Sequence, residues 1–450
     1  MDPDTYDFHV PGKNLDTDAL KVVNRLRRFG YETYLVGGCV RDLLAGIKPK
    51  DFDVATSATP EQVKKLFRNS WLIGRRFRLA HIVFGRDKKI IEVATFRAKP
   101  FKLDCSSSKT EKDLLIKEDN VFGTPREDAN RRDFTINALF YDHVDSRIID
   151  YVGGYKDIEN GILRSIGDPR IRFSEDPVRM IRACRYSAKL EFEIDPGVKD
   201  AMIQVCEHLR KASPSRLMEE LFKILESGVS RRTFEYLLEH GVLRSLSRSL
   251  AKFMQESQTG EKSTYTPGWS HLGALDALVS RRPKLPSRAV QLATLVIPMA
   301  RSIARKRMAS HDCSTRAAMM YGTDMVLSAL MVNFRLIKKD SERIRQIGIA
   351  QERLLPSVPH IRPSPPSRLL GRKYFQDSLL FMYIDCVAKG TGWNQYARWR
   401  ALSLAARSNL PPVPPWIPIK TEETLPGGGD RKKKTKRRIR KRKPGIRIEN

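Results

Sequence analysis

The chain has 450 residues, 41% of them hydrophobic, which is enough material for buried cores in two or more domains. Its 82 Lys and Arg outnumber its 52 Asp and Glu, and the formal net charge of +30 predicts a polyanionic partner, with nucleic acid first. The six cysteines lack disulfide or zinc-ligand spacing, and there is no apolar run of about 18 residues, so we expect a soluble cytoplasmic protein without a membrane span.

The first part of the chain alternates between helical and extended patterns. A helix pattern ends at Gly30, and the strand "YETYLVGG" leads into the short helix "VRDLLAGI". The strand "DFDVAT" follows, and then a helix with Thr59 as N-cap, Pro60 at its first position and Gln62 completing a capping box. Two further strands are predicted at "AHIVFG" and "KIIEVATFR". These elements predict an α+β head with a mixed sheet.

Two aspartates in "DFDVAT" are the first candidates for chemistry. Alternate residues of a strand face the same side, so Asp51 and Asp53 would converge while Phe52 and Val54 pack into the sheet. Paired carboxylates suit Mg²⁺, and two such ions can activate a hydroxyl and stabilise a pyrophosphate leaving group. The alternative is an exposed strand end with two solvated acids.

The neighbours of this pair favour the chemical interpretation. Gly37 and Gly38 lie between a strand and a helix, where backbone N–H groups can approach a phosphate, and Arg41 can add a charged contact one turn later. A third carboxylate is expected nearby. Glu92 lies among apolar strand residues and Asp133 lies beside two arginines, so either one can complete the site or be an ion-pair partner.

Helical patterns dominate after about Phe173, where strand patterns end. Ser213 and Pro214 begin a helix whose apolar stripe consists of Leu217, Leu221, Ile224 and Leu225. The segment "LPPVPPWIP" is typical of an extended linker, and the basic run "RKKKTKRRIRKRK" at 431–443 is expected to be disordered by itself. Such a run binds RNA phosphates without sequence preference, or is only a solvated segment.

Four segments carry a resemblance to a known family: "LVGGCVRDLLAGIKPKDFDVAT", "RRDFTINAL", "DYVGGYKDI" and "EDPVRMIRACRYSAKL". In this order and spacing they resemble the bacterial class II group of poly(A) polymerases and CCA-adding tRNA nucleotidyltransferases in the polymerase-β superfamily. The resemblance covers about residues 18–230 and is diffuse beyond. It implies a small polymerase-β-type nucleotidyltransferase head, an all-α neck, body and RNA-binding region, and a disordered basic tail.

The expected organisation follows from the resemblance together with the composition along the chain. The segments are an N-terminal segment (1–17), a catalytic head (18–172), a helical neck that recognises the nucleotide base (173–230), a helical body that binds RNA (231–409), and a Pro-rich linker with the basic tail (410–450). Gly153 and Gly154 in "DYVGGYKDI" would provide the backbone freedom of a hinge.

The resemblance also implies roles for individual residues. Asp51 and Asp53 would bind Mg²⁺, with Mn²⁺ as a substitute, and Gly38, Arg41 and Arg132 would contact the nucleotide. Asp133 and Glu92 remain the alternative third carboxylates, with Asp133 the first choice.

The segment "SEDPVRMIRACRY" is expected to read the nucleotide base. Pro177 suits a first helical position with Asp176 as N-cap, and Arg179 and Arg182 then share one face. A carboxylate beside a guanidinium can match the donors and acceptors of a base edge, as the family is understood to do. The alternative is that Asp176 only caps the helix and pairs with Arg179.

The implied activity is template-independent addition of AMP from ATP to RNA 3′ ends, which is the mRNA polyadenylation that promotes decay. The stretch "LFRNSWLIGRRFRLAHIVFG", the motif "EDPVRM" and the basic tail favour poly(A) polymerase. One alternative is a CCA-adding or A-adding tRNA nucleotidyltransferase, and a remote one is a non-catalytic RNA-binding protein on the same scaffold. The expected partners are ATP and single-stranded RNA or tRNA, and the expected state is a monomer away from membranes.

Overall fold

A computed structural model describes residues 2–74, 78–85, 89–98, 121–258, 265–282, 284–355, 366–404 and 411–412. The head is built on one mixed sheet of eight strands. The strands are β1 (Asp4–Asp7), β2 (Thr33–Val36), β3 (Asp53–Thr56), β4 (Ser70–Ile73), β5 (Leu79–Phe84), β6 (Lys89–Thr95), β7 (Phe140–Asp142) and β8 (Arg147–Asp150).

The strands lie in the order β1-β8-β7-β2-β3-β6-β5-β4. Only β3 and β6 pair in parallel; the other pairs are antiparallel. Strand β1 comes from the predicted N-terminal segment and joins the sheet through β8, with Asp4 opposite Asp150. The N-terminal residues are therefore part of the head sheet.

In the described part of the head, five short helices accompany the sheet: α1 (Thr17–Arg28), α2 (Gly38–Leu44), α3 (Pro60–Leu66), α4 (Pro125–Arg131) and α5 (Gly154–Glu159). The structure confirms the predicted start of α3, where Thr59 and Gln62 form a reciprocal capping box with Pro60 in the first turn. An equivalent box between Thr124 and Glu127 begins α4. Capping boxes therefore begin two of these helices, and a side-chain N-cap by Asp16 begins α1.

The two faces of the sheet differ in what covers them. On one face, Val54 and Ile82 are buried in a core that includes Val22 and Leu26 of α1. On the other face, the side chain of Glu92 is 51% exposed. This second face is packed near β2 and β7, where Val36, Ala55 and Phe140 belong to a smaller core, and the name open face refers to its exposed part around Glu92.

The rest of the described chain is almost entirely helical. Its helices are α6 (Pro169–Glu175), α7 (Val178–Leu190), α8 (Pro196–Val205), α9 (Pro214–Leu225), α10 (Ser230–Glu239), α11 (Val242–Leu246), α12 (Arg248–Gln258), α13 (Trp269–Arg281), α14 (Arg288–Ser310), α15 (Thr315–Met331), α16 (Lys338–Leu354), α17 (Ser367–Leu370), α18 (Phe375–Lys389) and α19 (Trp393–Leu404). Strands β9 (Ile162–Leu163) and β10 (Glu193–Ile194) form a separate parallel pair. The expectation that strands end at about Phe173 was wrong, because β10 follows that residue. This strand has too few residues to show alternation in the sequence.

Helix α9 confirms the predicted apolar stripe, because Leu217, Leu221, Ile224 and Leu225 are all buried. They belong to a core that continues through the helices after the head. The basic run at 431–443 lies outside the described residues. Among the described residues, no helix has the length and apolar character to cross a membrane.

Candidate active site

A cleft of about 1150 Å³ lies between the open face of the head sheet and the helices that follow the head. It brings together every residue that the sequence analysis assigned to the site: Gly37, Gly38, Arg41, Asp51, Asp53, Glu92, Arg132, Asp133, Asp176, Arg179 and Arg182. These residues come from segments up to about 145 positions apart in the chain, so the tertiary fold gathers them.

Asp51 and Asp53 both line the cleft, but the route to this arrangement differs from the prediction. Strand β3 begins at Asp53, and Asp51 lies before it, so strand alternation does not apply across the pair. The expectation that Phe52 and Val54 pack into the sheet holds, since both are buried. Asp53 also lies directly opposite Glu92 in the parallel pairing of β3 with β6.

Crowded acids and burial shift the protonation of Asp53. Burial, the charge of Glu92 and the charge of Asp51 raise its pKa to about 6, while Arg132 acts in the opposite direction. In the part of the chain that the structure describes, no group donates a hydrogen bond to its carboxylate. A buried carboxylate in this condition gains stability from a nearby cation.

The donor set fits Mg²⁺. Carboxylate oxygens are the ligands that Mg²⁺ prefers, and this ion is commonly held by one or two carboxylates plus substrate phosphates and water. Searched over the described residues, no group of three or more His, Cys, Asp or Glu is placed to hold a metal by itself. Asp51 and Asp53 therefore suit a metal shared with a phosphate substrate, with Glu92 next to them.

The glycine turn ends β2 and begins α2. Gly37 has a φ of +72°, a conformation that side chains other than glycine rarely adopt. A Cβ atom there would lie 3.0 Å from Nη1 of Arg132. Gly37 thus permits both the turn and the close approach of a cleft arginine.

Arg41 and Arg132 are held in place by neighbouring groups. Arg41 donates to Asp42 at 2.9 and 2.5 Å and to Oδ1 of Asn137 at 2.7 Å. Arg132 donates to Asp128 at 3.0 and 2.8 Å and to the backbone oxygen of Asn137 at 3.0 Å. Their guanidinium groups are therefore oriented before any ligand binds.

Asp133 lies in the cleft but is bound by cations and amides. Its Oδ2 accepts from Arg182 at 2.6 Å, and its Oδ1 accepts from the side chain of Asn137 at 3.0 Å. Burial alone would raise the pKa of Asp133, but the charge of Arg182, the hydrogen bond from Asn137 and the charge of Arg179 lower it well below its ordinary value. Of the two candidates for a third carboxylate, Glu92 is the one whose charge acts on the pKa of Asp53.

The segment before α7 differs from the prediction. Helix α7 begins at Val178, with Pro177 as N-cap, and Asp176 does not cap it. The alternative pairing of Asp176 with Arg179 was also wrong, because Asp176 accepts two hydrogen bonds from Arg216 of α9, at 2.8 and 2.7 Å. The Arg179 guanidinium instead donates to the backbone oxygen of Arg172 at 3.0 Å.

The cleft contains cations that the sequence analysis did not assign. Arg131 is surrounded by other arginines: burial and the charges of Arg97, Arg132, Arg179 and Arg172 lower its pKa to about 9. Arg216 and Lys223 of α9 and Arg185 of α7 also line the cleft. The adjacent pair in "NRRDF" was a visible signal for Arg131, whereas nothing in the local sequence marks Arg216.

The two glycines of the predicted hinge have different conformations. Gly153 has a φ of +82° and precedes α5, in a left-handed conformation that glycine adopts readily. Gly154 is packed so closely against the backbone of Thr135 that a Cβ atom would collide with its carbonyl oxygen. Close packing is therefore a sufficient reason for glycine at 154, and a hinge role stays a prediction.

Two segments of the chain match known families. Residues 33–164 match the family described as the poly A polymerase head domain, and residues 191–254 match the probable RNA and SrmB-binding site of polymerase A. The poly(A) polymerase I of Salmonella typhimurium is 47% identical over 250 residues, which are 55% of this chain and 53% of that protein. The chain therefore spans about half the length of the curated poly(A) polymerases that it matches.

CCA-adding enzymes are more distant relatives. That of Leuconostoc mesenteroides is 32% identical over 261 residues, covering 57% of this chain and 62% of that protein. The solved structure of the Bacillus stearothermophilus CCA-adding enzyme in complex with CTP has a TM-score of 0.56 at 24% identity, covering 87% of this chain and 83% of that chain. The two chains thus share a fold, including the helical part.

Proposed function

We propose that the chain transfers AMP from ATP to RNA 3′ ends without a template, because residues 33–164 and 191–254 match the poly A polymerase head domain and the probable RNA and SrmB-binding site of polymerase A. Its curated relatives include poly(A) polymerases and CCA-adding enzymes. The observation that carries this proposal is the cleft in which the acids Asp51 and Asp53 face several oriented arginines. Nucleotidyl transfer needs both charges, because a hydroxyl must be activated while a triphosphate is neutralised.

The reaction forms a bond between the RNA 3′-oxygen and the α-phosphorus of ATP. The bond from that phosphorus to pyrophosphate breaks, and the hydroxyl proton leaves to solvent. Two Mg²⁺ ions, with Mn²⁺ as a substitute, would be held at Asp51 and Asp53. They would make the 3′-hydroxyl more acidic and balance the charge of the phosphates. Gly37 and Gly38 leave the backbone open to the phosphates.

Arg41 and Arg132 supply the positive charge for the leaving pyrophosphate. Both are anchored to Asn137, so their positions are coupled and need little reorganisation on binding. We assign Glu92, rather than Asp133, as the third carboxylate, because Glu92 pairs in register with Asp53. Asp133 acts as a positioning residue for Arg182.

The base of the incoming nucleotide fits against Asp176, Arg179 and Arg182. The carboxylate of Asp176 is fixed by Arg216 and retains lone pairs that can accept from an exocyclic amine. The arginines can donate to a ring nitrogen or a carbonyl oxygen. This arrangement selects a nucleotide with protein groups alone, as a template-independent enzyme requires.

CCA addition is the second candidate, since CCA-adding enzymes share the fold over most of the chain. An assay with ATP or CTP, on a generic oligoribonucleotide and on tRNA lacking its 3′ end, separates the two activities. Long A tracts on the oligoribonucleotide support poly(A) synthesis. Addition that stops after one to three nucleotides, and only on tRNA, supports the second candidate, and no incorporation on either acceptor contradicts both.

A further inference from the structure

One row of side chains connects the acids of the cleft to the edge of the sheet. Trp71 of β4 lies opposite His81 of β5, His81 lies opposite Glu92 of β6, and Glu92 lies opposite Asp53 of β3. Residues in register on neighbouring strands project to the same face, so all four side chains belong to the open face. Nε2 of His81 lies 3.3 Å from Oε1 of Glu92 and continues the row.

The edge of this face is unusually apolar for an open surface. Trp71 is 57% exposed, whereas its neighbours on the other face of β4 are Ser70, which is fully buried, and Leu72, which is 36% exposed. Ile73, two residues along β4, projects to the same face as Trp71 and is 38% exposed. A large aromatic side chain left exposed at the end of a row that leads to the acids of the cleft is a candidate binding surface.

The sheet order indicates which substrate meets this surface. Strand β3 lies between β2, which ends at the glycine turn, and β6, which leads through β5 to β4. The leaving pyrophosphate is placed at the glycine turn, with Arg41 and Arg132. In an in-line reaction the attacking hydroxyl comes from the opposite side, which is the side of β6, β5 and β4.

The spacing fits a strand of RNA. Trp71 is three strand positions from Asp53, or roughly 14 Å at about 4.8 Å per strand. An acceptor whose 3′ end is at Asp53 would therefore reach Trp71 a few nucleotides upstream. Aromatic stacking accepts any base, as an enzyme for RNA ends of varied sequence requires.

We propose that Trp71 stacks on a base of the acceptor RNA a few nucleotides upstream of its 3′ end. The acceptor would then run from Trp71 along the row through His81 and Glu92 towards Asp53. This inference rests on the proposed transferase activity and adds an acceptor subsite to it. A protein strand docked on β4, the last strand of the sheet within the described residues, is the other occupant that such a surface could take, and the test below distinguishes it.

The test compares Trp71→Ala with Trp71→Phe and with Leu72→Ala, a control on the same strand with its side chain on the other face. With the full chain and an oligoribonucleotide acceptor, Trp71→Ala should raise the KM for the acceptor by roughly ten-fold, more than it changes kcat or the KM for ATP. Trp71→Phe should recover part of this loss because it retains an aromatic ring. Leu72→Ala should leave all three constants near those of the wild type.

A second measurement locates the base. Five acceptors are compared, each with a single abasic nucleotide at a different one of the first five positions from the 3′ end. The binding of each acceptor to wild type and to Trp71→Ala is measured without ATP. At one position the abasic site should weaken binding to the wild type but not to the variant, because the stacking partner is already missing.

The outcomes separate this inference from the proposed function. If wild type transfers AMP but Trp71→Ala keeps its acceptor KM and no abasic position shows coupling, the acceptor subsite is wrong and the transferase stands. Docking of a protein strand on β4 would give this same result. If wild type incorporates no nucleotide on any acceptor, the proposed function itself fails.

Discussion

Both terminal nitrogens of Arg216 donate to the carboxylate of Asp176, so α9 determines the orientation of an acid in the segment before α7. The pair is partly buried, with side-chain exposures of 34% and 16%. A two-point pair of this kind restricts rotation of the carboxylate as well as its position. In its proposed base-reading role, Asp176 is therefore positioned by a residue 40 positions along the chain.

The first prediction concerns nucleotide choice. Asp176→Ala removes an acceptor for an exocyclic amine, so we expect the preference for ATP over GTP, measured as a ratio of kcat/KM values, to fall by roughly 5- to 150-fold. This range corresponds to about 1–3 kcal/mol for a matched hydrogen-bonded edge. Arg216→Ala should give a smaller loss in the same direction. Arg170→Ala, which alters a surface pair with Asp168, is the control. An unchanged preference in Asp176→Ala would remove this residue from base reading.

The second prediction separates the acids of the cleft. Asp53→Asn should lower AMP incorporation by about two orders of magnitude or more while RNA binding persists, because it removes a proposed metal ligand that would support several kcal/mol of charge stabilisation. Glu92→Gln should lower kcat by about 10- to 100-fold, as neighbours of metal ligands commonly do. Both are measured at saturating Mg²⁺ and ATP.

Asp133→Asn is the matched comparison for Glu92→Gln. Asp133 is buried and paired with Arg182, so its loss should lower the free energy of unfolding by about 3–5 kcal/mol, whereas Glu92→Gln should change it little. Denaturant unfolding gives both values. A stable Asp133→Asn protein with no activity, beside an active Glu92→Gln protein, would reverse the two assignments.

The third prediction uses the glycine pair as its own control. Gly37→Ala forces a side chain into a positive-φ conformation and towards Arg132, so it should cost about 1–3 kcal/mol of stability and raise the KM for ATP. Gly38 is the first residue of α2, and a Cβ atom there would meet its nearest neighbour, Arg41, at an ordinary 3.6 Å. Gly38→Ala should therefore fold normally. Equal effects of the two substitutions would contradict the conformational argument.

These residues also show what could be predicted from the sequence. The capping box at Thr59 and the apolar stripe at Leu217 are confirmed, because each depends on residues a few positions apart. The placement of Asp51 and Asp53 near the glycine turn follows from the antiparallel pairing of β2 with β3, which are neighbours in sequence. Local patterns are therefore sufficient for these parts of the head.

Long-range pairings could not be predicted. Glu92 reaches Asp53 because β6 pairs in parallel with β3, and Asp176 reaches Arg216 because α9 returns to the cleft. The sequence around Glu92 and around Asp176 was compatible with several charged partners for each of these acids. The choice depends on the packing of whole elements, which periodicity does not encode.

The fourth prediction concerns the basic tail. Of the thirteen residues 431–443, eleven are Lys or Arg, and single-stranded RNA gives a salt slope of about −0.7 per phosphate contacted. Deletion of 431–450 should weaken RNA binding and flatten the plot of log affinity against log salt concentration. Circular dichroism of the shortened chain checks that it still folds. An unchanged slope would show that the tail does not contact the RNA.

The fifth prediction concerns acid stability, which depends on a buried cluster in the helical body. Asp385 accepts from His271 at 2.9 Å, from Arg301 at 2.5 Å and from Lys389 at 2.9 Å. Burial alone would raise the pKa of Asp385, but the charge of Arg301, the hydrogen bond from His271 and the charge of Lys389 lower it well below its ordinary 3.8. Burial also lowers the pKa of His271 from its ordinary 6.5.

Both shifts act in the same direction on stability. The unfolded chain takes up protons at His271 below pH 6.5 and at Asp385 below pH 3.8, before the folded chain does, so acid lowers the free energy of unfolding. Asp385→Asn should cost about 3–5 kcal/mol at pH 7, because Arg301 and Lys389 lose their counter-charge. The difference from wild type should shrink between pH 5 and pH 3, since the wild-type carboxylate then loses its advantage. Urea unfolding across this range measures it, and a gap that stays constant would show that the ionised carboxylate does not stabilise the body.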